Sequence, residues 1–116
     1  MHTGNASRFA LMNLEDADPE QEIREEHLRL QDRWILARLA QVEAEMERLL
    51  EGYFFGESAR RMYDFVWTEL CDWYLELSKP ALRGEEGEER KRATQGVLLV
   101  VFRDVLRLLH PFVPFV

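Results

Sequence analysis

At 116 residues the chain is sized for one domain or part of one, and its 47% hydrophobic content supplies the side chains for a core. The formal net charge of −7, from 15 basic against 22 acidic residues, excludes a free-standing nucleic-acid binder held by phosphate attraction alone, so any RNA contact is expected to be local or driven by a larger parent molecule. One cysteine, Cys71, excludes an internal disulfide framework and a thiolate zinc site.

In chain order, Met1 to Gly4 is short and polar, unlike the start of a signal peptide. Residues 5 to 14 read as a brief helix with Phe9 and Met12 on one side. Glu15 to Gln31 is acidic; Asp18 as a cap, Pro19 at the first helical position and Gln21 at the capping-box position predict a short helix within a loop. A long helix is expected from Asp32, whose carboxylate can accept from free N–H groups of the first turn. Ile35, Leu39, Val42, Met46, Leu49 and Tyr53 then recur every three or four residues, and Gly52 ends the helix.

A second helix is expected from about Glu57 to Ser78. Its core stripe would be Ala59, Met62, Tyr63, Val66, Trp67, Leu70, Trp73 and Leu77, with Pro80 as its stop. Arg83 to Glu89 reads as a solvated connection. The third helix runs from about Glu88 to Leu109. Val97 to Phe102 is apolar at every position, as a buried strand would be, but the length and the returning Arg103, Asp104 and Arg107 favour a helix buried on most sides. The longest uncharged apolar run, Gly96 to Phe102, falls far short of the roughly 20 residues that span a membrane, so no membrane partner is expected and the setting is read as cytoplasmic. Pro111 to Val116 then places two phenylalanines and two valines at the end of the chain. That pattern reads as a chain cut before its next packing partner, or as a tail folded onto its own bundle, and it offers a route to self-association. The fold class is therefore all-α: a bundle of three long antiparallel helices plus a short N-terminal helix.

Three groups of residues invite chemistry. Glu69, Asp72 and Glu76 share one side of the second helix at i, i+3 and i+7. A two-metal bundle would need Glu-x-x-His partners on other helices, and none is present in the sequence, so a solvated acidic face or a partner contact are the competing readings and no metal is expected. Cys71 has no nearby histidine or lysine to activate it and reads as a core thiol. His2, His27 and His110 are scattered, Gly84 and Gly87 sit among glutamates that would repel phosphate, and no catalytic constellation emerges. Trp67 and Trp73 are assigned to packing.

Four strings occur in a fixed order: Asn5-Ala-Ser-Arg-Phe, Asp32-Arg-Trp-Ile-Leu, Phe65-Val-Trp-Thr-Glu-Leu-Cys-Asp-Trp-Tyr-Leu-Glu with Lys79-Pro80, and Leu108-Leu-His-Pro-Phe-Val-Pro-Phe. Together they resemble the anticodon-binding domain of the valyl-tRNA synthetase family over nearly all of residues 5 to 116. The Cys-Asp-Trp-Tyr-Leu-Glu element is the specific one; related isoleucyl, leucyl and methionyl enzymes share the helical domain but not that string. The resemblance implies a module that grips the anticodon stem-loop of tRNA(Val) and positions it for a catalytic domain outside this chain, where ATP with Mg is used for aminoacylation. No cofactor is implied for this fragment, which carries no catalytic residues of its own. Residues 1 to 4 stand where the family carries a preceding helix and are read as non-native, and the chain is read as truncated at its C-terminus. By motif, Arg8, Leu75 and Glu76 are the implied RNA-contacting residues. The partners implied are tRNA(Val) and the rest of the synthetase; the alternative is a helical protein–protein interaction or oligomerisation scaffold.

Overall fold

The computed structural model describes Ile23 and residues 25–110. Expectations for the residue 5–14 helix, Asp18 to Gln21, Arg8 and the Pro111–Val116 tail lie outside these residues. A short 3-10 turn, Glu25–His27, leads into helix α1, Leu30–Glu51. The middle rod has three consecutive segments: α2 (Phe55–Asp64), a π-helical stretch (Phe65–Leu75) and α3 (Glu76–Leu82). Helix α4, Glu88–Leu109, completes the bundle, and no strand occurs among the described residues.

Cross-helix side-chain pairs give the topology. Asp32 meets Tyr74, Arg38 meets Glu69 and Glu45 meets Arg61, so the first two rods run antiparallel. Asp32 also meets Arg90, and α4 returns alongside both earlier rods. The core is formed by Ile35, Leu39, Val42 and Met46 of α1, Met62, Phe65, Leu70, Tyr74, Leu75 and Leu82 of the middle rod, and Val97, Leu98, Val101 and Val105 of α4. Each such side chain contributes roughly 1.5–3 kcal/mol on leaving water.

Helix α4 matches its expected limits, and the apolar run is helical, with Thr94 to Leu98 buried in succession. Elsewhere the expected boundaries and faces need correction. Helix α1 starts before Asp32: Arg29 is the N-cap residue, and Asp32, three positions into the helix, accepts from the Arg29 N–H at 2.9 Å. At its other end the left-handed residue is Tyr53, at φ 61°, not Gly52. Tyr53 N–H donates to Leu50 O and Phe54 N–H to Leu49 O, the two bonds of a Schellman motif. A Cβ at Gly52 would lie 2.6 Å from the half-exposed Phe54 ring, which would have to move aside. Tyr53 itself is 79% exposed and leaves the core stripe.

Pro80 does not stop the middle rod. It lies inside α3, two residues before the end, where it forgoes one N–H and its ring crowds the carbonyl of Glu76, four residues back. The chain turns only after Arg83, where Gly84 at φ 81° adopts the left-handed conformation.

The largest departure is the face of the middle rod. In the π segment hydrogen bonds reach five residues, so each turn absorbs about one residue more than an α turn. The buried positions become Phe65, Leu70, Cys71, Tyr74, Leu75, Ser78, Ala81 and Leu82. Trp73 and Leu77, expected in the core, are turned into solvent; Ala59 and Tyr63, also expected there, are exposed upstream, in α2.

Candidate nucleic-acid interface

A buried polar knot fixes the rotation of the middle rod. The Asp32 carboxylate is fully buried and accepts from Tyr74 Oη at 2.6 Å, from the Arg29 backbone and from Arg90 Nη1 at 3.1 Å. Arg90 also donates to the His27 carbonyl at 2.6 Å and to Thr94 Oγ1. The Asp32–Arg90 pair thus ties the 3-10 turn, α1, the π segment and α4 together. Burial, and then the Asp32 charge, push the Tyr74 hydroxyl well above the ordinary tyrosine range, so it stays a donor.

Below the knot, Glu69 is nearly buried and held by two arginines, Arg38 of α1 and Arg61 of α2. Arg61 also binds Glu45 at 2.7 Å. The acidic side expected of Glu69, Asp72 and Glu76 is therefore split: Glu69 is an interhelical clamp, and only Asp72 and Glu76 face solvent. Among the described residues no three His, Cys, Asp or Glu side chains converge as a metal site.

The residues implied by motif separate in the same way. Arg8 lies outside the described residues. Leu75 is 1% exposed and belongs to the core, which corrects the expectation that it faces a base: its neighbour Tyr74 is pinned inward, and the wide turn carries both side chains under the surface. Glu76, the next residue, points outward, and its Oε1 accepts from Lys79 Nζ at 2.7 Å. Around it stand Trp73 and Leu77, one turn apart and 59% and 54% exposed. Sequence periodicity missed both, because it presumes 3.6 residues per turn throughout. The composition of residues 65–75 carries no recognised signal for the wider winding.

At the opposite end of α1, a cleft of about 500 Å³ opens between α1 and α4 over Met46, Leu50 and Leu108. On its rim Glu43 faces Asp104, with Arg103 and Arg107 alongside. Burial, then Asp104, raise the Glu43 carboxyl above the usual glutamate range. Its mixed charge gives no directional preference for a polyanion. Cys71 is buried, and its thiol is pushed up to about 11 by burial and by Asp72, so it is a core residue with no nucleophilic role.

Residues 32–116 match the anticodon-binding domain of tRNA ligases. The chain belongs to that family. It is 54% identical over 113 residues to a valine--tRNA ligase of Syntrophotalea carbinolica, covering 97% of this chain and 12% of that protein. Valine--tRNA ligases of Carboxydothermus hydrogenoformans and Gloeobacter violaceus are 51% and 47% identical over 113 and 118 residues, covering 97% and 95% of this chain and again 12% of each relative. The chain thus spans about an eighth of the length of these relatives. No solved structure matches it. Among the described residues, Trp73, Glu76 and Leu77 form an exposed, chemically mixed surface on the middle rod of the bundle. No helix among the described residues is long and apolar enough to cross a membrane.

Proposed function

We propose that this chain is the anticodon-reading module of a valine–tRNA ligase, holding the tRNA(Val) anticodon stem-loop while a domain outside this chain activates valine with ATP and Mg and transfers it, in the cytoplasm. The observation that carries the reading is Glu76. It is a solvent-facing carboxylate in the Cys71-Asp72-Trp73-Tyr74-Leu75-Glu76 string, held in a fixed place by a rod whose rotation is locked from inside. RNA loops are read by splaying bases, stacking them and hydrogen-bonding their edges. A carboxylate accepts from the exocyclic amine of cytosine or adenine, and valine anticodons end in A-C. Arg8, by motif, is proposed to pair with phosphate or stack on a base. Leu75 supports the surface from beneath.

Titration of the chain with a transcribed valine anticodon hairpin, at several salt concentrations, tests this. Glu76→Ala is expected to cost ~1–3 kcal/mol of discrimination between matched and mismatched loops, the scale of one base-edge contact. Equal weakening for both hairpins would remove Glu76 from the reading role.

The scaffold reading draws on a different observation. Tyr53, Phe54 and Phe55 are all exposed at the tip between α1 and α2. Concentration-dependent self-association without anticodon dependence would favour it.

A further inference from the structure

Of the three tryptophans, Trp34 and Trp67 are partly buried against the core, and Trp67 makes an edge contact with Tyr63. Trp73 is different. It is 59% exposed, although an indole placed in a core would bury roughly 150–250 Å². Ordinary α winding, continued from Met62, would have turned it inward. The π segment turns it out and spends Tyr74 and Leu75 on the core instead. Wide turns of this kind are poor in intrinsic stability and recur at functional sites.

The surroundings of Trp73 are specific. Leu77, one turn on and also exposed, extends the apolar strip. The Glu76 carboxylate and the Lys79 ammonium border it as an ion pair at 2.7 Å. Asp72 is exposed on the adjoining side and disfavours phosphate there. A flat apolar ring, an acceptor and a cation within seven residues match the three parts of an unstacked nucleotide: its face, its edge and its phosphate.

We propose that Trp73 is the stacking platform for a base splayed from the anticodon loop, and that Glu76 reads the edge of the base so held. This deepens the reading of the preceding subsection and rests on it. Leu77 fills the space beneath the stacked base, and Lys79, released from Glu76 as that carboxylate turns to the base, meets the adjacent phosphate.

The test uses this chain and the transcribed valine anticodon hairpin at low salt. Trp73→Ala is expected to weaken hairpin binding by about 10-fold or more, the lower range of a base–aromatic stack. Trp73→Phe, which keeps a ring, should stay within about threefold, and both variants should melt with the parent. The salt slope should not change, because no charge is removed. In a Trp34→Phe/Trp67→Phe background Trp73 is the sole indole emitter, and its fluorescence should be quenched by the hairpin. Binding of Trp73→Ala within about twofold of the parent would overturn the stacking role while leaving anticodon reading intact. So would unmoved Trp73 emission in a chain that binds. Loss of self-association in Trp73→Ala with RNA affinity preserved would reassign the strip to a protein interface. Failure of the unmodified chain to bind any hairpin would remove the underlying reading as well.

Discussion

The Tyr74 hydroxyl donates to Asp32 Oδ1 at 2.6 Å, joining residues 42 apart in the chain at a fully buried point. Tyr74 lies between Trp73 and Leu75, so this bond fixes which side of the rod is dry. With Tyr74 anchored inward, Leu75 follows it into the core, while Trp73 and Glu76 remain outside. The surface proposed to meet RNA is set by a contact that never touches solvent.

Breaking that contact should be costly in graded steps. Tyr74→Phe removes one hydrogen bond to a charged group and should lower stability by about 1.5–3 kcal/mol. Asp32→Ala also strands the Arg90 guanidinium, whose side chain is only 13% exposed, and should cost about 3–5 kcal/mol. Urea unfolding of the two variants checks the order as well as the sizes.

Cys71 should resist alkylation in the native state. With its thiol titrating at about 11, the thiolate fraction at mildly alkaline pH is of order 10²-fold below that of an ordinary cysteine, and burial adds a steric barrier. Iodoacetamide labelling at pH ~8 should therefore track unfolding, with rapid reaction appearing only in denaturant.

Glu43 predicts a pH dependence with a definite sign. Its folded-state carboxyl titrates above the ordinary glutamate range, chiefly through burial and then through Asp104. The folded protein therefore holds more protons at this site than the unfolded chain does, and the contribution to stability falls as pH rises through the folded value. Glu43→Gln should raise the melting temperature at neutral pH, and the gain should disappear at acid pH, where the parent carboxyl is already neutral. Melting curves across that range check both limits.

Tyr53 gives a stabilising substitution. A non-glycine residue in the left-handed region costs roughly 1–2 kcal/mol, and glycine avoids this while losing about 0.5–1 kcal/mol to its unfolded-state freedom. Tyr53→Gly should therefore stabilise the bundle by about 0.5–1 kcal/mol, since the ring is exposed and its contact with Phe55 is loose, at 6.3 Å between centroids. Thermal unfolding reads the effect directly.

The sequence was informative where winding is regular. Ile35, Leu39, Val42 and Met46 were legible as a buried stripe because α1 keeps one period from end to end, and the limits of α4 were legible for the same reason. The middle rod was not. Its expected stripe is right at Met62 and Leu70, fails at Ala59 and Tyr63 within α2, and fails again at Trp73 and Leu77, after the winding has widened. Asp32 was visible as helix-start chemistry, yet its role as the acceptor for Tyr74 and Arg90 depends on residues 42 and 58 positions away, which no local pattern encodes. For the candidate site, the string ending in Glu76 marked the right stretch of chain. It could not tell that Leu75 faces in and Trp73 faces out, because the two lie on either side of the residue that the knot holds.

The widened winding between Phe65 and Leu75 also gives this stretch a reserve of length. Each wide turn holds about one residue more than an α turn, so the loss of one codon there is absorbed by a return to ordinary winding, with the later faces of the rod kept in place. In the regularly wound α1 the same loss would rotate every later side chain by about 100° and break up the buried stripe. Among natural variants of this domain, single-residue deletions inside helices should therefore be better tolerated between Phe65 and Leu75 than between Leu30 and Glu51.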